Sequence, residues 1–137
     1  MLTHPYTNLP YVPDIGHFLG GIDIYDLEET LGEELWTLNP NNENREEIIR
    51  KYIIPHQSYL SYKHKYLLFR KLECALKDKD FSFSGFFGVD VENHSATAWA
   101  ASEIKTPRTF FEDIFQIASE TWRLELAKAA TEDMSTW

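Results

Sequence analysis

Five histidines, a single cysteine and 22 acidic side chains are the groups in this chain that could do chemistry. Their spacing decides which kind. His4, His17, His56, His64 and His94 form no H-E-x-x-H pair, and Cys74 stands alone. A zinc site would need distant partners such as Glu73 or Asp90, so no metal and no cofactor are expected. Nucleophile elbows, Walker loops and dinucleotide fingerprints are missing. Gly85-Phe86-Phe87-Gly88 lacks the Lys and Ser/Thr that hold phosphate, and reads as a bend beside packed phenylalanines. Asp90 and Glu92 would share one face of a strand and could form a carboxylate pair for acid/base work, a coincidence that an acidic chain offers in many places. A small enzyme using that pair with a histidine is one reading of the chain. The tyrosines and cations at Tyr59, Lys63, Tyr66 and Arg70 form a stripe at helical spacing, read as a core edge rather than a nucleic-acid platform.

Charge carries a stronger signal. The chain has 13 basic and 22 acidic residues, a formal net charge of −9. None of the bases precedes Arg45. Before it stand Asp14, Asp23, Asp26, Glu28, Glu29, Glu33, Glu34 and Glu43. Residues 45–79 are net basic and residues 80–137 net acidic again. This order disfavours nonspecific binding to nucleic acid or to anionic membranes, both of which need clustered cations. It suits a protein that binds something basic. One cysteine excludes an intramolecular disulfide and fits a reducing compartment. The amino terminus has no basic n-region and no apolar run resembling a secretory signal, so a cytoplasmic protein is expected.

The elements that would carry these groups follow from periodicity and punctuation. At 137 residues one globular domain is expected over 1–137. Pro5, Pro10 and Pro13 predict an extended lead over about 1–20. Gly20-Gly21 precedes an alternating Ile22-Asp23-Ile24, read as a short strand. Asp26 is placed to cap a helix over about 27–38. A further helix follows Asn44, and Pro55 kinks it or opens the next. The stretch 56–77 is helical and apolar nearly all round, which predicts a central position in a small bundle. Residues 82–101 read as a small β-hairpin, a short helix at the alanine-rich end being the alternative. Thr106-Pro107 opens an amphipathic helix to about 130, with Phe110, Phe111, Ile114, Phe115, Ile117, Ala118, Trp122, Leu124 and Leu126 on one broad face. The fold class is mainly α (α+β).

On a helical wheel started at Leu27, Leu31, Leu35 and Leu38 fall within roughly 80° of it, forming an inward face. Trp36 falls opposite, beside Glu29 and Glu33. A tryptophan among carboxylates suits an aromatic anchor in a surface for a basic partner. The candidate partner-binding residues are Asp23, Asp26, Glu29, Glu33, Glu34 and Trp36. Two alternatives compete: Trp36 is covered by other parts of the chain, or the acids pair with Lys63, Arg70 and Lys77.

In its base-free block to Asn44 and its acid-flanked Trp36, the chain is similar to bacterial immunity proteins, small acidic cytosolic antidotes to a cognate toxin. The resemblance covers the N-terminal third and implies no catalysis, one-to-one binding of a basic toxin domain such as a nuclease, and inhibition by blocking its active site or an adjacent surface. It implies nothing about architecture. A third reading is an inhibitor that mimics nucleic-acid charge, which would add Glu112, Asp113 and Glu120 to the acidic surface.

Overall fold

In the computed structural model, which describes residues 1–137, the double glycine fixes how the chain begins to pack. Gly20 and Gly21 do not precede a strand. They lie inside a 3-10 helix, Ile15–Ile22, that seats Phe18, Leu19 and Ile22 in the core. A Cβ on Gly21 would sit 1.9 Å from the carbonyl oxygen of Tyr52, and one on Gly20 would meet the His56 ring. The glycines are there for close approach between two helical segments. The extended lead is therefore shorter than expected, ending at Asp14, whose carboxylate accepts the N–H of Gly16. Within it, Thr3 bridges antiparallel to Pro10.

Four helical runs and a short acidic one make up most of the remainder. A π-helical turn, Glu28–Gly32, leads into one α-helical turn, Glu33–Leu35 (together α1). The next run is Asn44–Ile48, a π turn Ile49–Ile53, and Ile54–His56 (together α2). Pro55 explains the wide turn. It has no N–H to give and its ring crowds the carbonyl four residues earlier, so the helix opens and Ile54 bonds back to Ile49. Pro55 thus distorts α2, as the first of the two expectations had it, and does not open the long helix that follows.

The long helix α3 is Tyr62–Lys77, beginning six residues later than the apolar pattern suggested. Ser61 is the cap, its hydroxyl accepting the His64 N–H. His64, Lys65, Leu68, Leu72 and Ala75 are its buried face. Its C-terminal carbonyls are closed by Arg108, which donates to Leu76, Asp78 and Phe81. The next helix, α4, is Pro107–Thr121, followed after a break by α5, Arg123–Ala130. The single helix expected over 107–130 is interrupted at Trp122, which turns inward and stacks on Phe18 at 6.2 Å. Beyond the break the face rotates, leaving Leu124 exposed. Thr106 has a left-handed backbone and does not cap with its side chain.

The hairpin reading of 82–101 holds in reduced form. Val89–Asp90 (β1) pairs antiparallel with Ser95–Ala96 (β2), after a 3-10 turn at Ser84–Phe86. The strand expected at 22–24 is one bridge, Asp23 to Thr97, flanked by bonds from Ile24 to Ala96 and from Ala98 to Ile22. One cluster of 26 buried residues draws on all these segments. Helices α3, α4 and α5 meet around it, with Phe69 stacked on Phe115 at 4.5 Å. No helix is long and apolar enough to cross a membrane.

Candidate functional site

Helix α1 is positioned by one buried leucine and one indole. Leu35 is fully buried, and Gly32 packs beneath the Trp36 ring. Leu27 is exposed, so the inward face is narrower than the wheel gave. The Trp36 Nε1–H donates to the carbonyl of Ala98 at 2.7 Å, yet the side chain remains 51 % exposed. Trp36 is neither covered nor free: one edge is fastened and one face is open.

The acids predicted to surround it divide into three groups. Glu29 and Glu33, with Glu28 and Asp26, are exposed and have no ion-pair or hydrogen-bond partner through their side chains. Asp26 does not cap α1; its φ is 60°, and the residue before the helix is Leu27. Glu34 is occupied. It accepts the Tyr52 hydroxyl and lies 3.6 Å from Lys51 Nζ. The Tyr52 bond, and then Lys51, hold its carboxyl below the ordinary range. Asp23 lies outside α1, at the bridge to Thr97. Its Oδ1 accepts the N–H groups of Tyr25 and Ala96 at 3.0 and 3.1 Å, so it braces the sheet segment from outside.

Of the ion pairs made by the basic block, one reaches α1, Lys51 to Glu34. Arg70 and Lys77 pair with Glu73 on their own helix, and Lys63 lies over the Tyr62 and Trp137 rings. Arg45 is committed to Asp113, Arg50 to Glu46 and Glu120, and Lys65 to Glu125. Asp113 and Glu120 are thus paired with Arg45 and Arg50, while staying about half exposed.

Sequence reasoning missed a cleft of about 620 Å³ between the 3-10 helix Ile15–Ile22 and the hairpin. Asp14, Asp23, Asp90, His17, His56 and Tyr59 are among its walls. Asp90 reaches it, but Glu92 does not, so the proposed acid/base pair is split. Asp90 accepts two bonds from Asn93, from the side-chain amide first and then the backbone, and these hold it below the usual carboxylate range. No three of the His, Cys, Asp and Glu side chains are grouped to hold a metal ion. No protein-family model matches the chain, and neither the curated proteins nor the solved structures return a match.

The remaining histidines are structural in placement. His64 is buried; its Nε2–H donates to the Thr3 carbonyl at 2.6 Å while Nδ1 accepts from the Ser61 hydroxyl. His4 and His64 each meet the Tyr11 ring edge to face. The one sequence signal for the cleft was the glycine spacing: Gly16, Gly20, Gly85 and Gly88 all line it.

Proposed function

We propose that the protein is a non-catalytic, immunity-type inhibitor of the bacterial cytoplasmic class, which binds and neutralises a basic cognate toxin domain through the outer face of α1. One observation carries this reading. Asp26, Glu28, Glu29 and Glu33 stand exposed and unpaired in or just before α1, which ends at the half-open Trp36, and five of the six cations held in ion pairs are committed to acids outside α1. Like charges held together without a counterion raise the potential that steers a cationic partner. The aromatic face supplies an anchor once contact is made.

Affinity capture from the producing cell tests the proposal. Wild-type protein is expected to retain a basic protein that a Glu29→Lys, Glu33→Lys, Trp36→Ala variant does not. Equal retention by both would place the binding surface elsewhere.

A further inference from the structure

We propose that the N-terminal lead is an acid-released strap: protonation of His4 and His64 undoes the contacts that hold it on α3 while the core stays folded. The lead doubles back through main-chain bonds from His4 to Leu9 and from Tyr11 to Leu2. One side-chain bond closes the loop, the Val12 N–H donating to His4 Nε2 at 3.2 Å. Only an unprotonated ring nitrogen accepts that hydrogen, so the closed lead requires neutral His4. His4 is also the only side chain of residues 1–13 of a type that takes up a proton between pH 8 and 5.

A second imidazole fastens the lead to the helix. His64 is buried, and both of its ring nitrogens are spent, Nε2 on the Thr3 carbonyl and Nδ1 on the Ser61 hydroxyl. The Tyr11 ring meets His4 and His64 edge to face. A proton on Nδ1 reverses the Ser61 bond, whose oxygen already accepts the His64 N–H as the cap of α3. It also places a charge that nothing nearby answers. His64 stands in the first turn of α3, the positive end of the helix dipole, between Lys63 and Lys65. On the α5 side, Glu125 is held by Lys65 and Glu132 by the Tyr62 hydroxyl. The lead and the turn before α3 bring only His4, Tyr11, Tyr59 and the exposed amino terminus, and Asp14 is bonded to the Gly16 N–H. Neither imidazole makes an ion pair.

An unpaired cation is costly to bury. A released lead gives both rings to water, where an imidazole takes a proton near pH 6.5. Proton uptake therefore favours the released form: the strap holds above about pH 6.5 and loosens as pH falls below it. Release frees an arm bearing the exposed Tyr6, Leu9 and Val12, and bares the first turn of α3.

The test is the ¹H–¹⁵N heteronuclear NOE of the lead amides at pH 7.5 and 5.0. At pH 7.5 the values for Thr3, His4, Tyr11 and Val12 should match those of α3. At pH 5.0 they should fall at least twofold, while the amides of α3 and α4 keep theirs. His4→Gln offers Val12 an oxygen that does not titrate in this range, and should halve the fall or better. His64→Phe keeps a ring beneath Tyr11 but loses both bonds, and should leave the lead equally mobile at both pH values. Should that variant not fold, His4→Gln decides alone. Lead amides that stay ordered at pH 5.0, an undiminished fall in His4→Gln, or loss of order in α3 and α4 together with the lead would overturn the proposal. None of these outcomes bears on capture by α1.

Discussion

Trp36 Nε1 donates to the main-chain oxygen of Ala98, 2.7 Å away and 62 positions later in the chain. The bond ties the exit of α1 to the segment that pairs with Ile22 and Ile24, so the acidic helix is held against the small sheet by its own anchor residue. Structural and binding roles of Trp36 can be separated. Trp36→Phe keeps an aromatic face and loses the donor, and should cost about 1 kcal/mol in urea denaturation. Its affinity for the partner should fall less than tenfold. Trp36→Ala removes the face as well, and should lose more than tenfold. Wild-type binding by the alanine variant would remove Trp36 from the interface.

Glu29 and Glu33 are four residues apart on α1, and like charges at that spacing cost a helix roughly 0.2–0.5 kcal/mol. Glu33→Lys replaces repulsion with an attractive pair. Thermal stability should hold or rise slightly while partner association slows. For the wild type the association rate should fall steeply between low and physiological salt, as steering is screened over about 8–10 Å. An on-rate indifferent to ionic strength would contradict the steering role.

How far the sequence reached depends on which forces were local. Phe110, Phe111, Ile114, Ile117 and Ala118 were legible because helical periodicity records a buried face directly. The hairpin was legible only in outline, because its strands are two residues each and both residues of β1 are exposed. Asp26 and Thr106 were misread because each has the residue type of a cap but a left-handed backbone, which depends on the turn leading into the helix. The break at Trp122 and the π turn before Pro55 answer to tertiary packing and to a missing N–H. For Gly20-Gly21 the cause lies 31 or more residues away, at Tyr52 and His56. Charge type was readable at every acid, but not which acids were spent. Only the fold distinguishes Glu34, bonded to Tyr52, from Glu33, one residue earlier and free.

Glu34 gives that distinction a pH signature. Its folded carboxyl lies below the ordinary range, so its contribution is present above the unfolded value near 4.5 and is lost as pH falls through the folded one. Tyr52→Phe removes the largest cause. The Glu34 midpoint, followed by side-chain carboxyl ¹³C NMR, should rise; an unchanged midpoint would mean that the Tyr52 bond does not hold it down.

Tyr11 sets the opposite limb. Burial, with Tyr59 adding to it, pushes its phenol up to about 12 from 10. An acid whose folded value is raised stabilises fully below the unfolded value and loses that contribution as pH climbs through the folded one. Urea midpoints should therefore decline above about pH 10. Tyr11→Phe retains the ring between His4 and His64 and should flatten this alkaline decline. An unchanged alkaline profile would assign the decline to other groups, such as Tyr52 and Tyr62.

Lys65 and Glu125 join α3 to α5 with unequal exposure, 11 % for the lysine side chain and 39 % for the carboxylate. Both carboxylate oxygens lie 3.0 Å from Nζ, which also sits 5.6 Å from the Trp122 ring centroid. Removing either partner breaks the same contact, but the charges left behind differ. Glu125→Ala strands an ammonium in a site where water reaches poorly, and should cost about 1–3 kcal/mol. Lys65→Met fills similar volume with an apolar chain, and the released carboxylate is open enough to regain water. Its cost should be smaller. Denaturation midpoints of the two variants decide the matter: a larger loss for Lys65→Met would mean that the ion pair stabilises beyond its desolvation cost, and that the asymmetry in exposure does not govern it.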